Sequence, residues 1–365
     1  MEMEKPMNEL QSILQQGNFL QKVGFSYSLY NYLKFFIWGA TFVLFIFLWI
    51  KPNFGLNVLW NVVIPIAPAL FVFAPGFWRN ICPLSSTSLF LQRFNSFSLK
   101  KLSPSWQDRL TLLSIILLLF IVPLRHVILD NNGIATAIML TIIVLLAVMM
   151  GFFFEMKSGW CATLCPVHPV EKLYGTTPLF STVNTHCKIC VQCVSFCSDS
   201  IPQITPHTGE KQPLRKFTGT IMVGGFAGFI WGWFQVPNYT GVTEGWKHLD
   251  IVYGYPMLGF LSTLFIYLIL RQLLSVKYYF LLIRIFAATS ISCYYGYRIP
   301  ALLGFGIFPN DGLLIDLRNS LPDYFPQISQ IFSTTLFFWW FIFRNHSKQS
   351  WKIRPPYRNQ VHNPL

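Results

Sequence analysis

The chain has 365 residues, of which 53% are hydrophobic, 17% aromatic and only 11% charged. Soluble globular domains carry about a quarter charged residues, so the composition excludes an ordinary soluble protein and points to an all-α polytopic membrane protein. The net charge of +13 would suit a nucleic-acid binder. Here, however, the basic residues gather in alternate loops between apolar runs, as membrane topology requires, and no nucleic-acid partner is expected.

Residues 1–30 read as a cytoplasmic N-terminal segment with early acids (Glu2, Glu4) and no small-residue cleavage site. The first apolar run, 32–50, is too long and too far into the chain for a signal peptide, so it is expected to be an uncleaved helix. Span two covers 58–77. Pro65, Pro68 and Pro75 within it are expected to kink or break the helix, because each removes a backbone donor. A polar, basic loop follows Cys82 and Pro83. Spans three (110–124) and four (134–154) complete four transmembrane helices over 31–154. Residues 155–216 form the only inter-span segment large enough for a small folded insertion. Four more spans, at 217–236, 257–274, 279–295 and 328–343, fill 217–343, and a basic tail occupies 344–365. About eight transmembrane helices are therefore expected. Most of the 27 Lys and Arg residues fall on one side of that arrangement. The positive-inside rule puts both termini and the 155–216 segment in the cytoplasm, where thiols stay reduced.

Six of the 8 cysteines lie between Gly159 and Cys197. Cys187, Cys190, Cys193 and Cys197 form C-x-x-C-x-x-C-x-x-x-C, the bacterial-ferredoxin spacing that wraps a [4Fe–4S] cluster. Two-residue gaps let three thiolates converge on one cube, while the fourth commonly points toward a neighbouring cluster. A zinc site or a disulfide framework is the plainer alternative, although zinc pairs are usually a dozen or more residues apart. Upstream, Cys161, Cys165 and Pro166 form C-x-x-x-C-P. That stretch has an internal echo: Gly76-Phe77-Trp78-Arg79-Asn80-Ile81-Cys82-Pro83 aligns with Gly159-Trp160-Cys161-Ala162-Thr163-Leu164-Cys165-Pro166. Each copy sets a Cys-Pro at the end of an apolar hairpin, and Trp78 stands where the second copy has Cys161.

The combination of a G-W-C-x-x-x-C-P motif after a membrane hairpin with the ferredoxin run resembles membrane-bound polyferredoxins of the NapH/NosR type. The resemblance covers about residues 58–200. It implies a small ferredoxin-like cysteine-rich insertion and [4Fe–4S] clusters at the cytoplasmic face of a prokaryotic inner membrane, exchanging electrons with the quinone pool. Cys187, Cys190, Cys193 and Cys197 match the ferredoxin ligands, Cys161 and Cys165 the membrane-edge motif, and Cys82 its other copy. The chain departs from that pattern in carrying one ferredoxin run instead of two, and Ser198 where proline follows the last cysteine.

Two all-cysteine cubane clusters need eight thiolates. Cys293 lies about a bilayer thickness from the others and is expected to be a small packing hydrophobe. One arrangement then gives Cys187, Cys190 and Cys193 to a first cluster, completed by an oxygen or imidazole from Asp199, His186 or His168. Cys197, Cys161, Cys165 and Cys82 would serve a second. The alternative is one cluster on the ferredoxin run. His168 has a plainer reading as a polar residue at the membrane boundary. His126 and His248 are not at haem-ligand spacing, and no haem is expected. Arg284, inside span seven, is a candidate for a quinone headgroup, or snorkels to the interface. Lys157, Lys172, Lys188, Lys211, Arg215 and Lys216 ring the cysteine segment and suit docking of an acidic ferredoxin or flavodoxin, or of anionic lipid.

The expected function is relay of single electrons between a quinone pool or cytoplasmic donor and a partner redox enzyme, including a membrane or periplasmic oxidoreductase. That makes the chain an electron-transfer subunit more than a stand-alone catalyst. An assembly factor that reduces a partner's metal centre, and a membrane subunit stapled by zinc, are the competing readings.

Overall fold

The computed structural model describes residues 29–90, 100, 102–154, 157–179, 213–239, 243–309 and 311–344. The ferredoxin-run cysteines Cys187, Cys190, Cys193 and Cys197, and with them the expected insertion, lie outside these residues, as do His186 and Asp199.

Seven described helices are long and apolar enough to cross a bilayer: α1 (Leu29–Ile50), α2 (Pro52–Phe73), α5 (Ser105–Leu129), α6 (Gly133–Phe153), α9 (Pro213–Phe234), α11 (Leu249–Leu273) and α12 (Val276–Leu302). A helix of about 20 residues spans about 30 Å, the thickness of the hydrocarbon layer. Between them lie short helices: α3 (Pro75–Ile81), α4 (Pro83–Phe90), the π-helical α7 (Lys157–Leu164), α8 (His168–Tyr174) and α10 (Glu244–Lys247). Among the described residues the chain forms no sheet, only an isolated bridge between Lys100 and Phe154. The chain is a multi-pass α-helical membrane protein.

The eighth expected span falls on α13, Phe325–Phe338, extended by a π turn over Trp339–Phe343. Gln327, Gln330, Ser329, Ser333, Thr334 and Thr335 dilute its apolar content, which keeps it out of the apolar seven. It nevertheless runs from one end of the bundle to the other. Phe325 packs on Phe305 just past the end of α12, at 5.6 Å between ring centres. At its other end Trp340 Nε1 donates to the Thr177 carbonyl at 3.0 Å. Arg344 Nη1 donates to the same carbonyl at 3.1 Å, and its Nη2 to that of Pro178 at 3.1 Å.

The prolines of span two act at two places. The helix stops at Ala74 (φ −143°, ψ 56°), and Pro75 begins α3. Pro65 and Pro68 are absorbed within α2, immediately after a π turn at Val58–Val63 that loosens the register where proline offers no N–H.

The buried core sits around α9, 78% of whose apolar window is buried, against 6% for α1. Phe226, Phe229 and Ile230 of α9 pack with Phe71 and Val72 of α2, Phe260 of α11 and Phe286 and Ile291 of α12. The α9–α11 contact is backbone to backbone. A Cβ built on Gly228 would lie 1.9 Å from the Gly259 carbonyl oxygen, so only glycine allows this approach. α1 joins α2 through a short turn, beside which Leu48 is buried with Leu56, Trp60 and Ala137; nearer its start, Tyr30 packs on Phe77 and Trp38 Nε1 donates to Thr87 Oγ1 at 3.2 Å.

Candidate functional site

The two Cys-Pro copies come together at the end of the bundle where α2, α6 and α13 finish. In each copy the cysteine immediately precedes a short helix, α4 after Cys82 and α8 shortly after Cys165. The backbone N–H groups of Leu84 and Ser85 are directed at the Cys82 sulfur, and those of Val167 and His168 at the Cys165 sulfur. The pattern is the same in both: the thiol takes the first free donors of the turn that follows it. What repeats with the sequence is this donor pattern at the sulfur; the helix before Cys82 is α and the one before Cys165 is π.

Cys82 and Cys165 lie within electrostatic reach of each other and of Glu171. Burial pushes the Cys82 thiol up to about 11. Burial, then the neighbouring Cys82, pushes Cys165 to about 12, against the lowering effect of its N–H donors. Arg79, from the first copy, forms an ion pair with Glu171 on α8, the helix that follows the second copy; their side chains are 12% and 7% exposed, so a nearly dry salt bridge ties the two regions together. Trp160, Leu164 and Ala147 form the apolar floor on which Leu84, Cys161 and Cys165 pack.

Cys161 is half-buried on that floor. Among the described residues no group of three or more His, Cys, Asp or Glu side chains is placed to hold a metal, so Cys161 does not complete a three-ligand set with Cys82 and Cys165. His168 is 7% exposed, on the first turn of α8. Trp78, which stands in the place of Cys161, packs edge-on against Phe71 at 5.1 Å. Cys293 packs among the apolar residues of the main core, and Arg284 is half-buried on α12.

The pair suits soft-metal ligation. Each thiolate raises the cost of ionising its neighbour, a nearby cation offsets that cost, and the N–H donors favour the thiolate form. A cubane cluster needs four such ligands, so this pair supplies two.

The opposite end of the bundle holds a second polar cluster, assembled from residues that serve in the sequence only as loop charges. Arg125 binds Asp130 through Nε–Oδ1 (2.9 Å) and Nη2–Oδ2 (3.2 Å). Its guanidinium lies 4.2 Å from the Trp60 ring centre and 4.9 Å from that of Trp233. His126 is buried, its Nδ1 2.5 Å from Asn238 Oδ1 and its Nε2 3.1 Å from the Trp233 carbonyl. Arg298 Nη2 donates to the Trp60 carbonyl (2.7 Å) and Asn61 Oδ1 (2.5 Å). His248 stacks on Tyr239 at 4.9 Å. Nothing in local spacing links positions 60, 125 and 298.

Comparison with known protein families, curated proteins and solved structures returns no match.

Proposed function

We propose that the chain is a membrane-bound iron–sulfur electron-transfer protein of the prokaryotic inner membrane, with its cysteine end in the cytoplasm. The observation that carries this reading is the meeting of Cys82 and Cys165 from the two Cys-Pro copies, each with two backbone N–H groups aimed at its sulfur. The ferredoxin spacing of Cys187, Cys190, Cys193 and Cys197 supports it independently. Those four residues, with Cys82, Cys165 and Cys161 at the membrane edge, would hold one or two clusters. A bound [4Fe–4S] cluster supplies a one-electron redox couple whose potential follows its burial and hydrogen bonds.

The chain's own residues do the rest. The N–H groups of Leu84, Ser85, Val167 and His168 favour thiolate over thiol. Arg79 offsets the charge of Glu171, which would otherwise add to that of the two sulfurs. The floor of Trp160 and Leu164 keeps bulk water from one side of the pair. Quinone exchange and docking of an acidic redox protein are part of this reading through the resemblance and the basic rim.

Anoxic purification with iron, sulfide and zinc measured per chain tests the proposal. About four irons and four sulfides, or about eight of each, are expected for one or two [4Fe–4S] clusters. If Cys82 and Cys165 are cluster ligands, serine at either position lowers the iron count. A sample with stoichiometric zinc and no sulfide would sink the reading in favour of a zinc staple.

A further inference from the structure

At the end of the bundle away from the cysteines, a cavity of about 140 Å³ opens between the last turns of α9 and α12, the first turns of α13 and the loop residues 305–308, 311 and 312. Its walls are mainly apolar, with Trp233, Phe234, Ala301, Phe305 and Phe308 among them. The guanidinium of Arg298 joins them as a charged group that is only 3% exposed.

Arg298 forms no contact ion pair among the described residues, and the Asp130 carboxylate reaches it only through space. Its Nη2 is spent on two neutral oxygens, of Trp60 and Asn61, while its Nε is buried and has no hydrogen-bond partner. Two carboxylates lie at the cavity and neither is available. Asp130 is taken up by two bonds from Arg125. Asp311 accepts the Asn238 N–H at 2.7 Å and forms no ion pair with Arg298. The fold nevertheless makes room for the cation. Gly312 has φ +70°, and a Cβ there would lie 2.2 Å from Arg298 Nη1. A cation kept buried without a contact ion pair is costly, and such groups inside membrane proteins mark binding sites.

We propose that this cavity binds a small monocarboxylate with a ring-sized apolar body. The carboxylate supplies the missing negative charge and accepts from the Arg298 guanidinium where it lines the cavity, while the body lies against Trp233, Phe234 and Phe305. The size follows from comparison with an apolar cavity of roughly 150 Å³, which takes one benzene ring. A neutral ring carrying only a carbonyl would satisfy the donor but leave the charge uncompensated, so charge is the discriminating property.

Calorimetric titration of the full chain in lipid nanodiscs with benzoate, benzamide and 1,4-benzoquinone decides the matter. Benzoate is expected to bind at least tenfold tighter than either neutral ring. Arg298→Gln should abolish the preference. Because Arg298 also ties down Trp60 and Asn61, Ala301→Leu provides a second variant, filling the cavity without touching those bonds; it should abolish benzoate binding. Equal affinity for benzoate and benzamide, tighter binding of the quinone, no benzoate heat at all, or undiminished benzoate binding in Ala301→Leu would each overturn the proposal. Iron content does not enter this readout, so the outcome is independent of the electron-transfer reading.

Discussion

A poorly solvated thiol near a second thiol and a carboxylate resists ionisation; Cys82 and Cys165, both half-buried like Cys161, sit in that setting. With the Cys82 thiol at about 11, its thiolate fraction at pH 8 is about a hundredfold below that of an ordinary cysteine. In metal-free protein both residues should therefore alkylate with iodoacetamide about a hundredfold or more slowly at pH 8, accelerating as pH rises toward 11. Mass spectrometry of timed samples checks this, and rapid labelling at pH 7 would contradict the burial argument. The Arg79–Glu171 pair gives a second residue-scale expectation. Removing one partner of a buried ion pair costs about 3–5 kcal/mol. Arg79→Ala should thus destabilise the protein by about 3 kcal/mol, and adding Glu171→Gln should return much of the loss, as read from unfolding in mixed detergent micelles.

Helix existence in this chain follows from apolar length, while helix contact follows from small side chains and altered turns. The Gly228–Gly259 crossing joins α9 to α11 through backbone, so a single methyl at Gly228 has no space. Overpacking of this kind costs about 1–3 kcal/mol, and Gly228→Ala is expected to lose at least about 2 kcal/mol of stability. Gly254, one turn before Gly259 on α11, has nothing within 4 Å of a built Cβ; Gly254→Ala should stay within about 0.5 kcal/mol of the parent. Equal effects of the two substitutions would remove the case for a tight α9–α11 seam. The π turns are local in the same sense. Two of them fall beside Pro65 and after Pro123, where the regular hydrogen-bond ladder is already interrupted. α13 is the element whose role composition hides. Its polar residues blur it as an apolar run, yet Trp340 and Arg344 fasten its end to the 177–178 carbonyls beside the Cys-Pro copies.

Across the whole molecule, the two ends differ in chemistry. One gathers thiols, an ion pair and the loops rich in lysine and arginine. The other gathers Arg125, His126, Asp311 and Arg298 around a cavity, under loops poor in basic charge. Under the positive-inside rule this asymmetry favours the proposed orientation, with the thiols facing the cytoplasm. Ser275, in the turn between α11 and α12, and Ser320, in the loop after α12, are both exposed and on opposite ends. In intact cells a membrane-impermeant maleimide should label Ser320→Cys, and label Ser275→Cys only after permeabilisation. The reverse pattern would turn the protein over and remove the reduced compartment on which the iron–sulfur reading depends.

The amino-acid sequence determined that this is a multi-pass helical membrane protein, because twenty-residue apolar runs have few other ways to satisfy their backbone in lipid. It also held the Cys82 and Cys165 correspondence, since a Cys-Pro before a short helix is a local device that repeats with its residues. Tertiary structure decided that those two sulfurs meet while Cys161 does not complete a three-ligand set with them. It decided too that α13 crosses the bundle despite its polar residues, and that Arg298 faces a cavity without a contact ion pair. Each of these depends on contacts between residues far apart in the chain, such as Trp60, Arg125 and Arg298. Helix packing creates those contacts, and neither periodicity nor spacing encodes them locally.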